Sequence, residues 1–154
     1  MQALLSFLFP SKPFLTEEEE QKITAAIAAA EKKTSGEIRV YMESRCSYLD
    51  PLDRAKELFY QLKMHETKER NGVLLYLATK DHQLAVYGGQ GIHEKVGSDF
   101  WNQEVRQILD EFKEHHFADG IVHVVTDIGA ALTTHFPYDK DDKNELPDHI
   151  IFGK

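Results

Sequence analysis

Six consecutive apolar residues, Val73-Leu74-Leu75-Tyr76-Leu77-Ala78, constrain this chain more than any other feature. A strand sends successive side chains to opposite faces, so a run that is apolar at every position needs cover on both sides. The run is far too short to cross a bilayer, and its length suits a central strand between two helical layers. With 154 residues and 42% apolar content, one compact domain can build those layers without disulfides or metals.

The flanking segments supply the helices. Thr16 can cap a helix while Glu19 reaches back to the cap amide, and Ile23, Ala26, Ile27 and Ala30 then share one face. Thr34-Ser35-Gly36 is expected to end it, with Gly36 left-handed. Glu37 to Glu43 alternates, with Ile38, Val40 and Met42 on one side, and reads as a strand. Asp50-Pro51 opens a second helix whose inner stripe is Leu52, Ala55, Leu58, Phe59 and Leu62. After the central run, Lys80-Asp81-His82 turns the chain into Leu84-Ala85-Val86-Tyr87, a hairpin partner ending in Gly88-Gly89-Gln90-Gly91. Two more helices are predicted, one from near Ser98 and one from near Asp119, and Gly129 in the second permits close approach of a neighbour. Ile150-Ile151-Phe152 can dock on the domain.

This order predicts an α/β fold, a three-layer α/β/α sandwich around a central mixed, mostly short-stranded β-sheet. The organisation is an N-terminal strap (1–15), the α/β domain (16–137) and a charged C-terminal tail (138–154). The first two strands are joined by a right-handed helical crossover, so the loops after Glu43 and after Thr79 leave the sheet at the same rim.

A net charge of −8 argues against non-specific nucleic-acid binding, which needs clustered Lys and Arg. The lone Cys46 cannot form an internal disulfide and points to a reducing, cytoplasmic setting. The apolar run Leu4 to Phe9 is too short for a transmembrane segment and lacks the flanks of an export signal. Cys46 has no closely following Arg, which excludes the thiol phosphatase mechanism, and Asp139-x-Asp141 lies in a charged tail rather than at a strand end. His115, His116 and His123 lack zinc-site spacing. Gly88-Gly89-Gln90-Gly91 reads as a tight turn, since Glu94 replaces the third glycine of a dinucleotide fingerprint. Asp139 to Ile150 fails as a calcium loop, with Ile150 in place of the bidentate acid.

Hard oxygen ligands remain. Asp50, Asp53 and Asp81 gather at one rim, and Glu37 lies near the Gly-rich turn at the other. Such donors suit calcium or magnesium. Helix capping by Asp50, a turn role for Asp81 and pairing of Glu37 with Arg39 or Arg70 are the competing structural roles.

The segments Thr34-Ser35-Gly36-Glu37-Ile38-Arg39-Val40, Arg70-Asn71-Gly72-Val73-Leu74-Leu75 and Gly88-Gly89-Gln90-Gly91-Ile92 resemble motifs of the TPM domain family. Val96-Gly97 before Phe100-Trp101 and the late Phe117-x-x-Gly120-Ile121 extend the resemblance over roughly residues 14 to 137. It implies a three-layer sandwich. It also implies mixed functions, since relatives include thylakoid proteins linked to photosystem repair, membrane-anchored bacterial proteins and a receptor modulator. Acid phosphatase activity is attributed to plant members and divalent-cation binding to some bacterial ones. Many soluble relatives carry Gly-Asp-x-Gly where this chain has Gly88-Gly89-Gln90-Gly91, so any role of that carboxylate is missing here.

The expectation is a non-catalytic binding or scaffold module for an unidentified protein partner, with weak calcium or magnesium binding through Asp50, Asp53 and Asp81. Glu37, Arg70, Asn71, Gly88 and Gly91 form a second candidate site. The alternative is a slow acid phosphatase acting on phosphomonoesters.

Overall fold

The computed structural model describes residues 14–138 and 150–153. Helix α1 spans Glu17–Glu31 and strand β1 Glu37–Glu43. They are followed by α2 (Pro51–Gln61), a 3₁₀ turn (Met64–Glu66), β2 (Gly72–Ala78) and β3 (Gln83–Gly88). Helices α3 (Gln90–Val96), α4 (Ser98–Lys113) and α5 (Phe117–His135) come next, and β4 (Ile151–Phe152) ends the order.

The four strands form one mixed sheet in the order β3-β2-β1-β4. β1 pairs parallel with β2, Val40 opposite Leu75, and parallel with β4, Tyr41 opposite Ile151. β3 returns antiparallel along β2, Val86 opposite Leu75. All seven residues of β2 are buried, as the apolar run requires. One face of the sheet, with Val40, Leu75 and Val86, packs on Ile23 and Ile27 of α1, Ile108 of α4 and Val124 and Ile128 of α5. The other face, with Leu74, Tyr76 and Ala85, packs on Ala55, Leu58 and Phe59 of α2. That is the three-layer sandwich.

Local chemistry sets the helix ends. Thr16 and Glu19 form the reciprocal capping box, with Oγ1 of Thr16 accepting from the Glu19 amide at 3.1 Å and Oε1 of Glu19 accepting from the Thr16 amide at 2.9 Å. Asp50 caps α2 through Leu52 N at 2.9 Å, with Pro51 at the first helical position. A Cβ at Gly129 would lie 2.6 Å from Cβ of Ala30, so this glycine lets α1 and α5 touch.

Three expectations need correction. α1 ends at Lys32 in right-handed geometry, and Gly36 is not left-handed; the chain instead leaves the helix through a bridge between Thr34 and Pro137. Gly88-Gly89-Gln90-Gly91 is more than a tight turn, since Gly89 is the N-cap of α3, a helix short enough to lack a readable apolar period. The helical period puts Leu52 on the inner stripe of α2, yet it is 44% exposed. The N-terminal strap to residue 13 and the charged run 139–149 lie outside the described residues.

Candidate functional site

At the rim where β1 and β2 end, the two loops adjoin as the crossover demands: Thr79 N donates to Glu43 O at 2.8 Å and Lys80 N to Ser44 O at 2.7 Å. The carboxylates there already have structural partners. Oδ2 of Asp81 accepts from the Cys46 amide at 2.7 Å and Oδ1 from Arg45 at 3.2 Å, while Asp50 caps its helix. Asp53 is exposed in the first turn of α2. Among the described residues no three His, Cys, Asp or Glu side chains come together in a way that could hold a metal ion.

Beside that rim lies a network that sequence reading missed. Glu43 is buried, accepts from Arg54 Nε at 2.9 Å and Nη2 at 3.0 Å, and accepts from the Tyr76 hydroxyl. Burial pushes the Glu43 carboxyl up, but the bonds from Arg54 and Tyr76 outweigh it and hold the group below its ordinary range. Burial and the adjacent Glu43 carboxylate push the Tyr76 hydroxyl well up, so it stays protonated and donates. This is a filled ion pair. The only sequence signal was a Tyr inside an otherwise aliphatic strand.

At the opposite rim, Glu37 is buried near Arg39 on the same strand face, and burial lowers the Arg39 guanidinium's pKa against the pull of Glu37 and Glu31. Asn71 is buried and donates to Ser35 Oγ at 3.1 Å. The carbonyl of Arg70, a residue in left-handed geometry at φ 60° or below (52°), accepts the Gly91 amide at 2.9 Å. A Cβ at Gly91 would lie 2.1 Å from Glu69 O, and one at Gly88 2.4 Å from the Trp101 ring. These glycines therefore serve close packing, not a phosphate cradle. The structure brings Arg70 and Gly88 together at one end of a groove, with Gly91 bonded to the Arg70 carbonyl behind them, but leaves Glu37 and Asn71 in the packed rim.

The groove runs along the outer side of β3, between α2 and α4, with a volume of about 630 Å³. Leu52, Phe59 and Tyr60 wall it from α2, and Trp101 and Val105 from α4. Asp50 stands at the end where β3 begins, and His65, Arg70 and His93 surround the end where it finishes. Nδ1 of His93 accepts from the Trp101 indole at 3.0 Å, which leaves Nε2 to carry the proton of the neutral ring. Trp101 belongs to the buried core, with Val105 packed against it, and both also line the groove; the lack of charge in Gln83 to Gly88 was the signal available in the sequence.

His116 and His123 both turn Nδ1 to the carboxylate of Glu111, at 3.3 Å and 3.2 Å. They are surface pairs.

A family model described as TPM domain matches residues 11–131. The chain belongs to the TPM domain family. The BA42 protein from the psychrophilic bacterium Bizionia argentinensis, solved by NMR, is similar to it with 46% identity and a TM-score of 0.83, covering 92% of this chain and 97% of that one. The N-terminal domain of cg2496 from Corynebacterium glutamicum shares the fold at 15% identity and a TM-score of 0.60, covering 86% of this chain and 83% of that one. An N-terminal domain from P. gingivalis does so at 16% and 0.61, covering 82% and 83%. No curated protein matches. Among the described residues of this TPM domain, no helix is long and apolar enough to cross a membrane.

Proposed function

We propose that this TPM domain is a non-catalytic binding module and that the groove beside β3 is its binding surface. The observation that carries the reading is the groove: about 630 Å³, walled by Leu52, Tyr60, Trp101 and Val105, with polar groups such as Asp50, Arg70, His93 and Asn102 among its lining. Mostly apolar walls with a small number of placed polar groups are the usual make-up of a ligand site. A catalyst would need a nucleophile held against a base, and His93 turns its ring nitrogen to an indole instead. A titration with small aromatic carboxylates, read by amide shifts, should perturb Tyr87, Gly88, Trp101 and Val105 saturably. No shift at those residues would overturn the reading, and turnover of a chromogenic phosphate ester by purified protein would favour the acid phosphatase alternative.

The proposal includes weak calcium or magnesium association at the loops of Asp50, Asp53 and Asp81. The adjoining loops support it. A cation would have to draw Asp81 from Arg45 and the Cys46 amide, so the dissociation constant should be on the order of 10⁻⁴ to 10⁻³ M. Calcium titration should shift amides in 45–53 and 79–83, an effect abolished by Asp81→Asn. Absence of any saturable shift would remove the cation from the reading.

A further inference from the structure

We propose that the groove takes an extended peptide of a partner protein, which adds to β3 as a new outer strand and places a carboxylate against Arg70. The inference rests on the reading of this groove as the binding site and names its occupant.

The argument begins with backbone parity. Gly89 N donates to Gly72 O at 2.8 Å, which makes Tyr87 opposite Leu74 and Ala85 opposite Tyr76 the pairs that exchange bonds. The amides and carbonyls of Leu84, Val86 and Gly88 then point away from β2. Among the described residues no strand pairs with that side of β3. Edge strands are ordinarily protected by charge, proline or brevity. β3 has six residues, Gln83 to Gly88, and none is charged or proline. Its outer row of groups faces a groove walled by residues of α2 and α4.

Strand addition draws affinity from main-chain bonds and selectivity from pockets for alternate side chains. Here Leu52 and Tyr60 flank one face of an incoming strand, and Trp101 and Val105 the other, so the side chains on both of its faces meet mainly apolar walls. Charge fixes one end. Arg70, His65 and His93 surround the Gly88 end of the groove in a chain of net charge −8, and among the described residues Arg70 makes no ion pair.

The test uses the full chain, labelled for amide shifts, and three synthetic octapeptides. One alternates valine and threonine and ends in aspartate, one ends in lysine instead, and one repeats the first with alternate amides N-methylated. Expected are saturable shifts at Leu84, Val86 and Gly88 with the aspartate peptide. N-methylation should weaken binding about tenfold, and lysine about two- to fivefold. Arg70→Asn, which suits the left-handed backbone, should remove the preference for aspartate over lysine. Binding indifferent to N-methylation would overturn strand addition while leaving the groove a site for apolar ligands. No peptide shifts together with small-ligand binding would do the same. Appearance of binding only after deletion of residues 1–13 would make the chain's own N-terminus the occupant, and concentration-dependent dimerisation with shifts confined to β3 would make it a second copy; either result overturns the proposal.

Discussion

Among the described residues the sheet ends on its β4 side in two residues, Ile151 and Phe152, and on its β3 side in six uncharged ones, Gln83 to Gly88. Both sides solve the problem of unpaired backbone, and they do so differently. A two-residue strand offers too short a template for another chain to extend. A six-residue strand offers a full one, and here it is recessed between helices rather than blunted. The ionisable groups follow the same division. On the β1 side, Glu43 is held ionised by Arg54 and Tyr76. On the β3 side, α4 carries Glu104, buried one turn from Trp101 and pushed up to about 7 by burial and by Asp127 of α5. The Glu43 network is electrostatically satisfied, whereas the β3 side holds a carboxyl poised to change charge near neutrality.

The largest expected effect falls on the strand shared by both sides. Leu75→Ala should cost about 3 kcal/mol in urea denaturation, in one cooperative transition, because Leu75 is fully buried between Val40 and Val86. Two separate transitions would break the picture of two sides on one core. Next, Arg54→Leu should cost about 2 kcal/mol near pH 7 by leaving Glu43 buried without its cation, a value reduced because Arg54 is 17% exposed. Glu43 has a lowered pKa in the folded state, so its contribution is present above the ordinary carboxylate pKa and is lost as pH falls through the folded value. The variant should therefore lose less stability on acidification than the parent.

Glu104→Gln should act with the opposite sign. With its folded pKa raised to about 7, Glu104 favours the fold at low pH, and that contribution disappears as pH rises from the ordinary carboxylate range to about 7. At pH 8 the variant should be more stable by about 1 to 2 kcal/mol, with a flatter thermal stability profile between pH 5 and 7. An unchanged profile would put Glu104 on the same footing as Glu43. The smallest stability effect belongs to Leu52→Ala, within about 0.5 kcal/mol at a position 44% exposed, combined with weaker ligand binding in the groove.

The fold was legible where sequence patterns repeat. The capping box at Thr16, the alternation of Ile38, Val40 and Met42 and the apolar run of β2 each specify a local geometry that tertiary packing did not override. α3 was not legible, because seven residues give barely two helical turns. Strand order was only half legible. The crossover dictates that β1 and β2 are parallel neighbours, but nothing in Leu84 to Tyr87 says that its other side is left to a groove. The candidate site was hidden for the same reason: Trp101 and Val105 have the period of core residues, and only the placement of α4 beside an edge strand makes them groove walls. The crossover does bring the loops after Glu43 and after Thr79 to one rim, yet sequence could not tell that Asp81 would already hold Arg45 and an amide.

The pairing of Tyr41 with Ile151 joins residues 110 positions apart in the chain. During synthesis at the usual 5 to 20 residues per second, roughly 5 to 20 s separate the appearance of β1 from that of its last neighbour. Through that interval the hairpin of β2 and β3 and the crossover from β1 can already have formed, while the far flank of β1 waits. A nascent chain of this protein is thus open on both flanks before it is open on one, and chaperones that hold extended segments would meet it first at β1.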